Sequence, residues 1–336
     1  MKKNNLYLPA EWEEQEFVQL VFPHENTDWK EYLEDAITTF VTIAKAIAKY
    51  QKCLIVATNI TYVKSLFENK KNLTFVKINS DDTWSRDFGG ITVKQNDKAI
   101  VLDFKYNAWG KKFAYKLDDQ ITKQLKFKGL LNAYSHNSIS FVLEGGAIES
   151  NGEGIILTTK ECLMEKNRNP LLSQKAIEKR LLEYFGASKV LWLNNGYLEG
   201  DDTDSHIDTL ARFATADTIV YQSCDDQNDV HFEALQNMEK ELFGFRQLDG
   251  KPFNLVALPW IEAKYDEDER LPATYANFLI INGAVLVPTY DDKNDQKALD
   301  IFKALFPNRD VIGIDCQTLI RQHGSLHCVT MQYPKI

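Results

Sequence analysis

Ala276-Asn277-Phe278-Leu279-Ile280-Ile281-Asn282-Gly283-Ala284-Val285-Leu286-Val287 is the longest apolar stretch in a chain of 336 residues. It is too short to cross a bilayer, and Asn277, Asn282 and Gly283 interrupt it, so it reads as two strands, 278–281 and 284–287. Beyond it, residues 295–305 place apolar side chains three and four apart with a polar face between, a helical pattern, and 311–314 is strand-like again. The same alternation fills the chain. Strand-like runs fall at 17–22, 53–57, 73–78, 99–104, 139–143, 154–157, 189–193, 218–221 and 255–258, and helical patterns at 29–50, 61–67, 116–125, 173–185 and 230–243. An α/β fold follows. No Pro/Ser-rich linker, low-complexity tract or shift in composition divides the chain, which predicts one domain over residues 1–336.

Hydrophobic residues make up 44% of the sequence and aromatic ones 12%, enough to bury a core without disulfides or a structural metal. Residues 1–16 carry two lysines, then polar and acidic residues where a secretion signal needs an apolar core. A cytoplasmic protein without a membrane partner is expected. Five cysteines, Cys53, Cys162, Cys224, Cys316 and Cys328, are an odd number with no CxxC pair. That suits a reducing compartment, argues against a disulfide framework or zinc ribbon, and makes most of them inert buried thiols. The formal charge of −9 disfavours nucleic acid and mildly favours cationic ligands. The oligomeric state stays open, a homo-oligomer included.

Four polar segments carry candidate chemistry. Asp81-Asp82-Thr83-Trp84-Ser85-Arg86-Asp87-Phe88-Gly89-Gly90 is either a tight turn with exposed acids or a cation site. In the second case Asp87 holds the charge and Trp84 packs on a flat guanidinium or an alkyl chain. Phe141-Val142-Leu143-Glu144-Gly145-Gly146 sets a carboxylate where an apolar strand meets two glycines, which permit close backbone approach or a bulge. Asp201-Asp202-Thr203-Asp204-Ser205-His206-Ile207-Asp208 has five ionisable residues in eight positions. It lacks the glycine and distal glutamate of an EF-hand loop, so acid–base work by His206 is preferred to a metal, with a solvated loop as the alternative. In Arg321-Gln322-His323-Gly324-Ser325-Leu326-His327-Cys328, the cysteine alone would be a small buried hydrophobe. His323, His327 and Cys328 make a poor zinc trio because two ligands are adjacent, and His327 is expected to play a supporting part.

From Asp87 to Glu144, His206, Asn277 and Cys328 the intervals are 57, 62, 71 and 51 residues. Such near-regular spacing suggests a radial repeat in which each unit of strands and helix sends one loop to a common axis. Hydrolysis at a guanidinium would unite these parts. Asp87 and Asp208 can each take a fork of N–H donors, Cys328 supplies a soft nucleophile whose thiolate the bound cation favours, and His206, with Glu144, protonates ammonia and then activates water. This chemistry requires no metal or organic cofactor.

Together the segments resemble the agmatine deiminase and bacterial-type peptidylarginine deiminase family along nearly the whole chain. The matching pieces are Asp82-Thr83-Trp84-Ser85-Arg86-Asp87, Tyr106-Asn107-Ala108-Trp109-Gly110, Leu143-Glu144-Gly145-Gly146, Asn167-Arg168-Asn169-Pro170, His206-Ile207-Asp208, Tyr275-Ala276-Asn277-Phe278 and His327-Cys328-Val329-Thr330. The resemblance implies a five-bladed α/β propeller, a pentein of pseudo-fivefold symmetry. It also implies hydrolysis of agmatine to N-carbamoylputrescine and ammonia in putrescine biosynthesis. It puts Cys328 on the family nucleophile, His206 on the acid/base, Asp87 and Asp208 on the guanidinium-holding carboxylates and Glu144 on the histidine's partner. Trp84, Asp202 and Asn277 fall on substrate-lining positions. The Asn-Ala-Trp-Gly stretch favours agmatine over peptides. Two features depart from the family pattern. Gln322-His323-Gly324-Ser325 replaces a glycine-rich run, implying a stiffer or differently shaped loop, and Ser205 stands where glycine usually precedes the histidine. Peptidylarginine or free arginine is the alternative substrate, for which a cation among Arg86, Arg168, Arg212 and Arg321 would have to face the site. A silent polyamine-binding protein that keeps the acidic cage is the alternative of another class.

Overall fold

Asn282-Gly283 turns the chain back on itself. Gly283 takes a φ of 78°, so Leu279–Ile281 and Ala284–Thr289 pair antiparallel with Ile281 opposite Ala284. Helix Asp295–Leu305 follows, burying Ala298 and Phe302, and Asp310–Asp315 returns parallel to Ala284–Thr289. These elements belong to a computed structural model that describes residues 6–96 and 98–336. Residues 1–5 of the stretch read for a secretion signal, and Asp97, lie outside the described residues.

Among the described residues, five sheets of three or four strands share this order of antiparallel pair, helix and parallel return. Ile91–Gln95 and Lys98–Lys105 are followed by helix Ile121–Phe127 and strand Ser135–Val142, with Leu6–Tyr7 on the edge. Ile148–Ser150 and Ile155–Thr159 lead through helix Gln174–Phe185 to Lys189–Leu193. Ala211–Thr215 and Thr218–Gln222 lead through helix Phe232–Gly244 to Asn254–Leu258. The fifth sheet draws on both ends of the sequence. Thr330–Pro334 pairs antiparallel with Gln15–Val21, and after helix Leu33–Ala48 the strands Lys52–Ala57 and Leu73–Lys77 add in parallel. Asn282 ties this sheet to the one before it, accepting from Gln15 N at 2.9 Å and donating to Gln15 O at 2.8 Å.

The helices hold on through one apolar face. Leu33–Ala48 buries Ala36, Ile37, Phe40, Ile43, Ala44 and Ile47, and each of the larger side chains contributes about 1.5–3 kcal/mol on leaving water. All five cysteines are buried and unbridged, as expected. Among the described residues, no helix is long and apolar enough to cross a membrane.

Every predicted strand forms. The predicted helices also form, with the segments 29–50 and 116–125 each opening on a 3₁₀ turn, Lys30–Tyr32 and Asp118–Gln120. Besides the short strands Leu6–Tyr7, Lys264–Asp266 and Glu269–Leu271, the apolar pattern missed the opening strand of four sheets: Ile91–Gln95, Ile148–Ser150, Ala211–Thr215 and Thr330–Pro334. Each starts two to four residues after a singled-out position, Asp87, Glu144, Asp208 or Cys328, as Leu279–Ile281 does after Asn277. Several of these strands bury polar side chains, such as Glu149, Arg212 and Thr330, so neither alternation nor an apolar run marks them in the sequence.

Candidate active site

The loop end just before each opening strand brings one group to a shared place. Cys328 precedes Thr330–Pro334 and is held by Asn277 from the neighbouring sheet. The Asn277 Oδ1 accepts from His327 N at 2.8 Å and Cys328 N at 3.3 Å, while its Nδ2 lies 3.3 Å from Cys328 Sγ and donates to Asp208 O at 3.2 Å. Burial, with the Asp208 and Asp87 carboxylates, pushes the Cys328 thiol well above the ordinary cysteine range. Without a cation nearby it keeps its proton.

Asp87 lies in the short turn Ser85–Phe88. Trp109 Nε1 donates to its Oδ2 at 3.0 Å, Gly146 N donates to its Oδ1 at 3.0 Å, and His206 Nδ1 lies 3.6 Å from Oδ1. Burial pushes its carboxyl up to about 6, against the pull of His206. In Asp208, Oδ2 accepts from His327 Nδ1 at 2.7 Å and sits 3.9 Å from Cys328 Sγ. Burial would raise Asp208, yet His327, His206 and Arg212 outweigh it and hold the carboxyl below its usual range. Among the described residues, its Oδ1 is buried with no hydrogen-bond partner, and so are both ring nitrogens of His206. Burial opposes charge on His206 as well, but Asp87, the Cys162 sulfur and Glu144 lift it to about 10.

The two glycines after Glu144 make this crowding feasible. A Cβ on Gly146 would stand 2.6 Å from His206 Nδ1, 2.8 Å from Asp87 Oδ1 and 3.1 Å from Asp208 Oδ2, and one on Gly145 would meet Arg86 O at 2.2 Å. The backbone at these two glycines thus approaches polar groups of the site closely. Glu144 itself is engaged by Arg168, whose Nε reaches its two oxygens at 3.0 and 3.1 Å while Nη1 and Nη2 bind Asp204 Oδ2 at 2.7 Å and Thr203 O at 2.8 Å.

Behind the thiol lies a buried ionic hub that sequence reasoning missed. Glu11 Oε2 accepts from His327 Nε2 at 2.7 Å and pairs with Arg212 at 3.0 Å and Arg86 at 3.4 Å, and its Oε1 takes Ile280 N at 2.7 Å. Arg212 also binds Glu149 and Phe278 O, with its guanidinium 4.4 Å from the Phe278 ring. His327 is thus clamped between Glu11 and Asp208. A glutamate at the eleventh position, with partners from 75 to 316 positions further along the chain, leaves no local signal.

The pocket in front of Cys328 is lined by Asp28, Asp82, Trp84, Asp87, Trp109, Phe113, Asp202, Thr203, Gln322, His323 and Gly324. Trp84, Asp202, Asp87 and Cys328 therefore face it, whereas Glu144, His206, Asp208 and Asn277 lie fully buried behind its wall. Among the described residues, no lysine or arginine lines it. Arg86 and Arg212 belong to the hub, Arg168 to Glu144 and Asp204, and Arg321 Nε to Asp266 at 2.8 Å. Trp109 reaches Asp87 from a run of left-handed backbone, Ala108, Trp109, Gly110 and Lys111. Asn107 braces this run by accepting from Gly110 N at 3.0 Å and donating to Asn167 O at 2.9 Å. Strain of this kind persists only where surrounding contacts over-determine it.

The two departures from the family pattern both meet unusual backbone. The loop before Cys328 is strapped on several sides: Gln322 Nε2 donates to Asp28 O at 3.0 Å, His323 Nδ1 lies 2.8 Å from Gly200 O, and Ser325 Oγ bonds Tyr290 at 2.8 Å. Gly324 lies flat on Trp84, where a Cβ would come within 2.2 Å of the ring. Ser205 adopts φ 62°, a left-handed conformation that costs an L-residue about 1 kcal/mol or more. Ser205→Gly is therefore expected to raise stability by about 1 kcal/mol, read as a higher melting temperature. A lower one would show that the Ser205 Oγ contact to Glu161 at 3.3 Å outweighs the strain.

Residues 7–334 match the family of Porphyromonas-type peptidyl-arginine deiminases. The chain is 32% identical to the agmatine deiminase of Pseudomonas aeruginosa (strain LESB58), covering 97% of this chain and 95% of that protein. Among solved structures it is similar to a cysteine-to-serine variant of the C. jejuni agmatine deiminase with substrate bound, at 40% identity and a TM-score of 0.94, over 100% of this chain and 98% of that one. A Porphyromonas gingivalis protein provisionally described as an arginine deiminase is 50% identical, with a TM-score of 0.95 over 98% and 99% of the two chains.

Proposed function

Because the chain belongs to the family of Porphyromonas-type peptidyl-arginine deiminases, we propose that it hydrolyses agmatine to N-carbamoylputrescine and ammonia. The observation that carries this reading is a pocket walled, among the described residues, by four aspartates and no lysine or arginine, ending at a buried thiol 3.9 Å from Asp208, whose Oδ1 is unpartnered among those residues. Agmatine is a dication, a guanidinium at one end of a butyl chain and an ammonium at the other. Asp87 and Asp208 receive the guanidinium N–H groups, which supplies the missing partner of Asp208 Oδ1. The alkyl chain runs along Trp84, and Asp202 lies among the acids towards the mouth. Asn277 acts from behind, fixing the loop that presents the sulfur.

The arriving cation offsets the two carboxylates that hold the Cys328 thiol protonated, so the thiol proton leaves to solvent as substrate binds. The thiolate adds to the guanidinium carbon. The protonated His206 gives its proton to the departing nitrogen, the C–N bond breaks and ammonia leaves, with a thiouronium left on the sulfur. Water then attacks that carbon as His206 takes a proton from it. The C–S bond breaks, and the ureido product and the free cysteine result. Glu144 keeps charge on the imidazole. All steps use side chains of this chain alone, with no cofactor. The five sheets are read as five blades around an axis through the site, forming one catalytic domain. A cytoplasmic role in putrescine supply fits a small cationic substrate, with neither nucleic acid nor membrane as partner.

Free arginine is disfavoured because its α-carboxylate would enter an acidic mouth while every candidate arginine is paired elsewhere. The test is kcat/KM for agmatine, arginine and a short arginine peptide across pH. Agmatine should lead by a wide margin, and a comparable rate with arginine would overturn the choice of substrate. Asp87 must be ionised, so activity should fall as pH drops below about 6. His206 must be protonated, so activity should fall again above about 10, and kcat/KM reports these free-enzyme groups.

A further inference from the structure

A second sulfur lies against the imidazole of His206. Cys162 sits in the turn Lys160–Leu163 that follows strand Ile155–Thr159, and it is wholly buried. Its Sγ, a ring nitrogen of His206 and a carboxylate oxygen of Glu144 all lie within 4.8 Å of one another. A cysteine kept only as packing would sit among apolar side chains. Cys162 does belong to the apolar core, but it is also faced by a carboxylate and by an imidazole whose nitrogens have no hydrogen-bond partner among the described residues. Thiolate, imidazole and carboxylate together are the donor set that zinc-like cations take up. The three groups come from three separate segments, so no loop motif announces them.

We propose that Glu144, Cys162 and His206 form a site for a borderline-soft divalent cation of the zinc type, and that its occupancy shuts off hydrolysis. Ligand atoms around tetrahedral zinc stand about 3.5 Å apart, so side-chain rotations that draw the trio together by roughly 1 Å complete the cage. Binding takes the thiol proton from Cys162 and the imidazolium proton from His206, and releases both to solvent. Arg168 Nε already holds Glu144 at 3.0 and 3.1 Å, which fixes the carboxylate while leaving it lone pairs for a metal. The fourth position is left to water. A metal-bound His206 is no longer an imidazolium: its remaining ring N–H is too weak an acid to protonate the departing ammonia, and with one nitrogen protonated and the other on the metal it has no free lone pair to take a proton from water. Inhibition therefore rests on the acid–base role of His206 proposed above, while binding does not.

Cobalt(II) is the probe, titrated into metal-free Cys328→Ala protein so that the pocket thiol cannot contribute. The expected result is one equivalent bound, with tetrahedral visible bands and a sulfur-to-cobalt charge-transfer band that zinc displaces. Both should vanish in Cys328→Ala/Cys162→Ser. Zinc-loaded Cys328→Ala protein, read by X-ray absorption, should show one sulfur among nitrogen and oxygen neighbours, which gives the same answer without altering Cys162. Absence of stoichiometric binding, or a charge-transfer band that survives loss of Cys162, overturns the site. In the unaltered protein, zinc should stop ammonia release and a chelator should restore it; bound zinc with undiminished turnover overturns the inhibition. If no substrate turns over even without metal, the proposed hydrolysis fails while the cobalt result stands by itself.

Discussion

Cys328→Ala is expected to lose ammonia release from agmatine by at least about 10⁴-fold, the scale on which removing a covalent nucleophile acts. Among the described residues, Cys328 is the one thiol lining the pocket, and nothing else there attacks carbon in its place. Substrate binding should survive, because Asp87, Asp208, Trp84 and Asp202 are untouched. Calorimetry should thus register heat on mixing with agmatine while no ammonia appears over hours. An unchanged rate would remove the covalent mechanism. Heat without turnover in the unaltered protein would instead favour the silent polyamine-binding alternative. The variant should fold, since alanine removes one atom from a site braced mainly through backbone, with His327 N on Asn277 Oδ1 and Arg86 N donating to Cys328 O at 3.1 Å.

Asp208→Asn should have the next largest effect, about 10³-fold in kcat/KM, corresponding to the roughly 4 kcal/mol typical of removing one partner of a buried charge pair. Two losses combine. The guanidinium gives up one of its two carboxylates, and His327, 2.7 Å from Asp208 Oδ2 and from Glu11 Oε2, gives up one of the charges that clamp it. The amide is nearly isosteric and can still accept from His327, so the secondary structure should persist while thermal stability drops. Steady-state kinetics and circular dichroism on the same preparation separate the two. A loss below about tenfold would mean that Asp208 does not hold the guanidinium.

The α/β alternation could be read from the sequence because helices and central strands are driven by apolar faces, which local periodicity records. The opening strands could not, since Ile148–Ser150 and Ala211–Thr215 bury Glu149 and Arg212 as a pair and so look polar. The residues with reactive chemistry were visible as unusual local clusters of acid, glycine, histidine and cysteine. Their supports were not. Arg168 stood within a matched piece without a role, Cys162 looked like any core thiol, and Glu11 acts through His327, Arg212 and Arg86. Each depends on contacts between distant segments, and no window along the chain contains them. Asn277 shows the converse case: its position was expected at the site, but its carboxamide grips sulfur and backbone rather than facing the pocket.

Thr330 faces Leu20 across the last sheet, some 310 positions earlier in the chain, and Lys335 N reaches Glu14 O at 2.8 Å. Contacts this distant carry a large loop-closure cost and tend to form late. During refolding, then, helices and most strands can gather spectroscopic signal while the sulfur still dangles without its amide clamp. Recovery of turnover would time the final docking event alone. A chain nicked near either extremity should likewise fall chemically silent long before its circular dichroism betrays any damage.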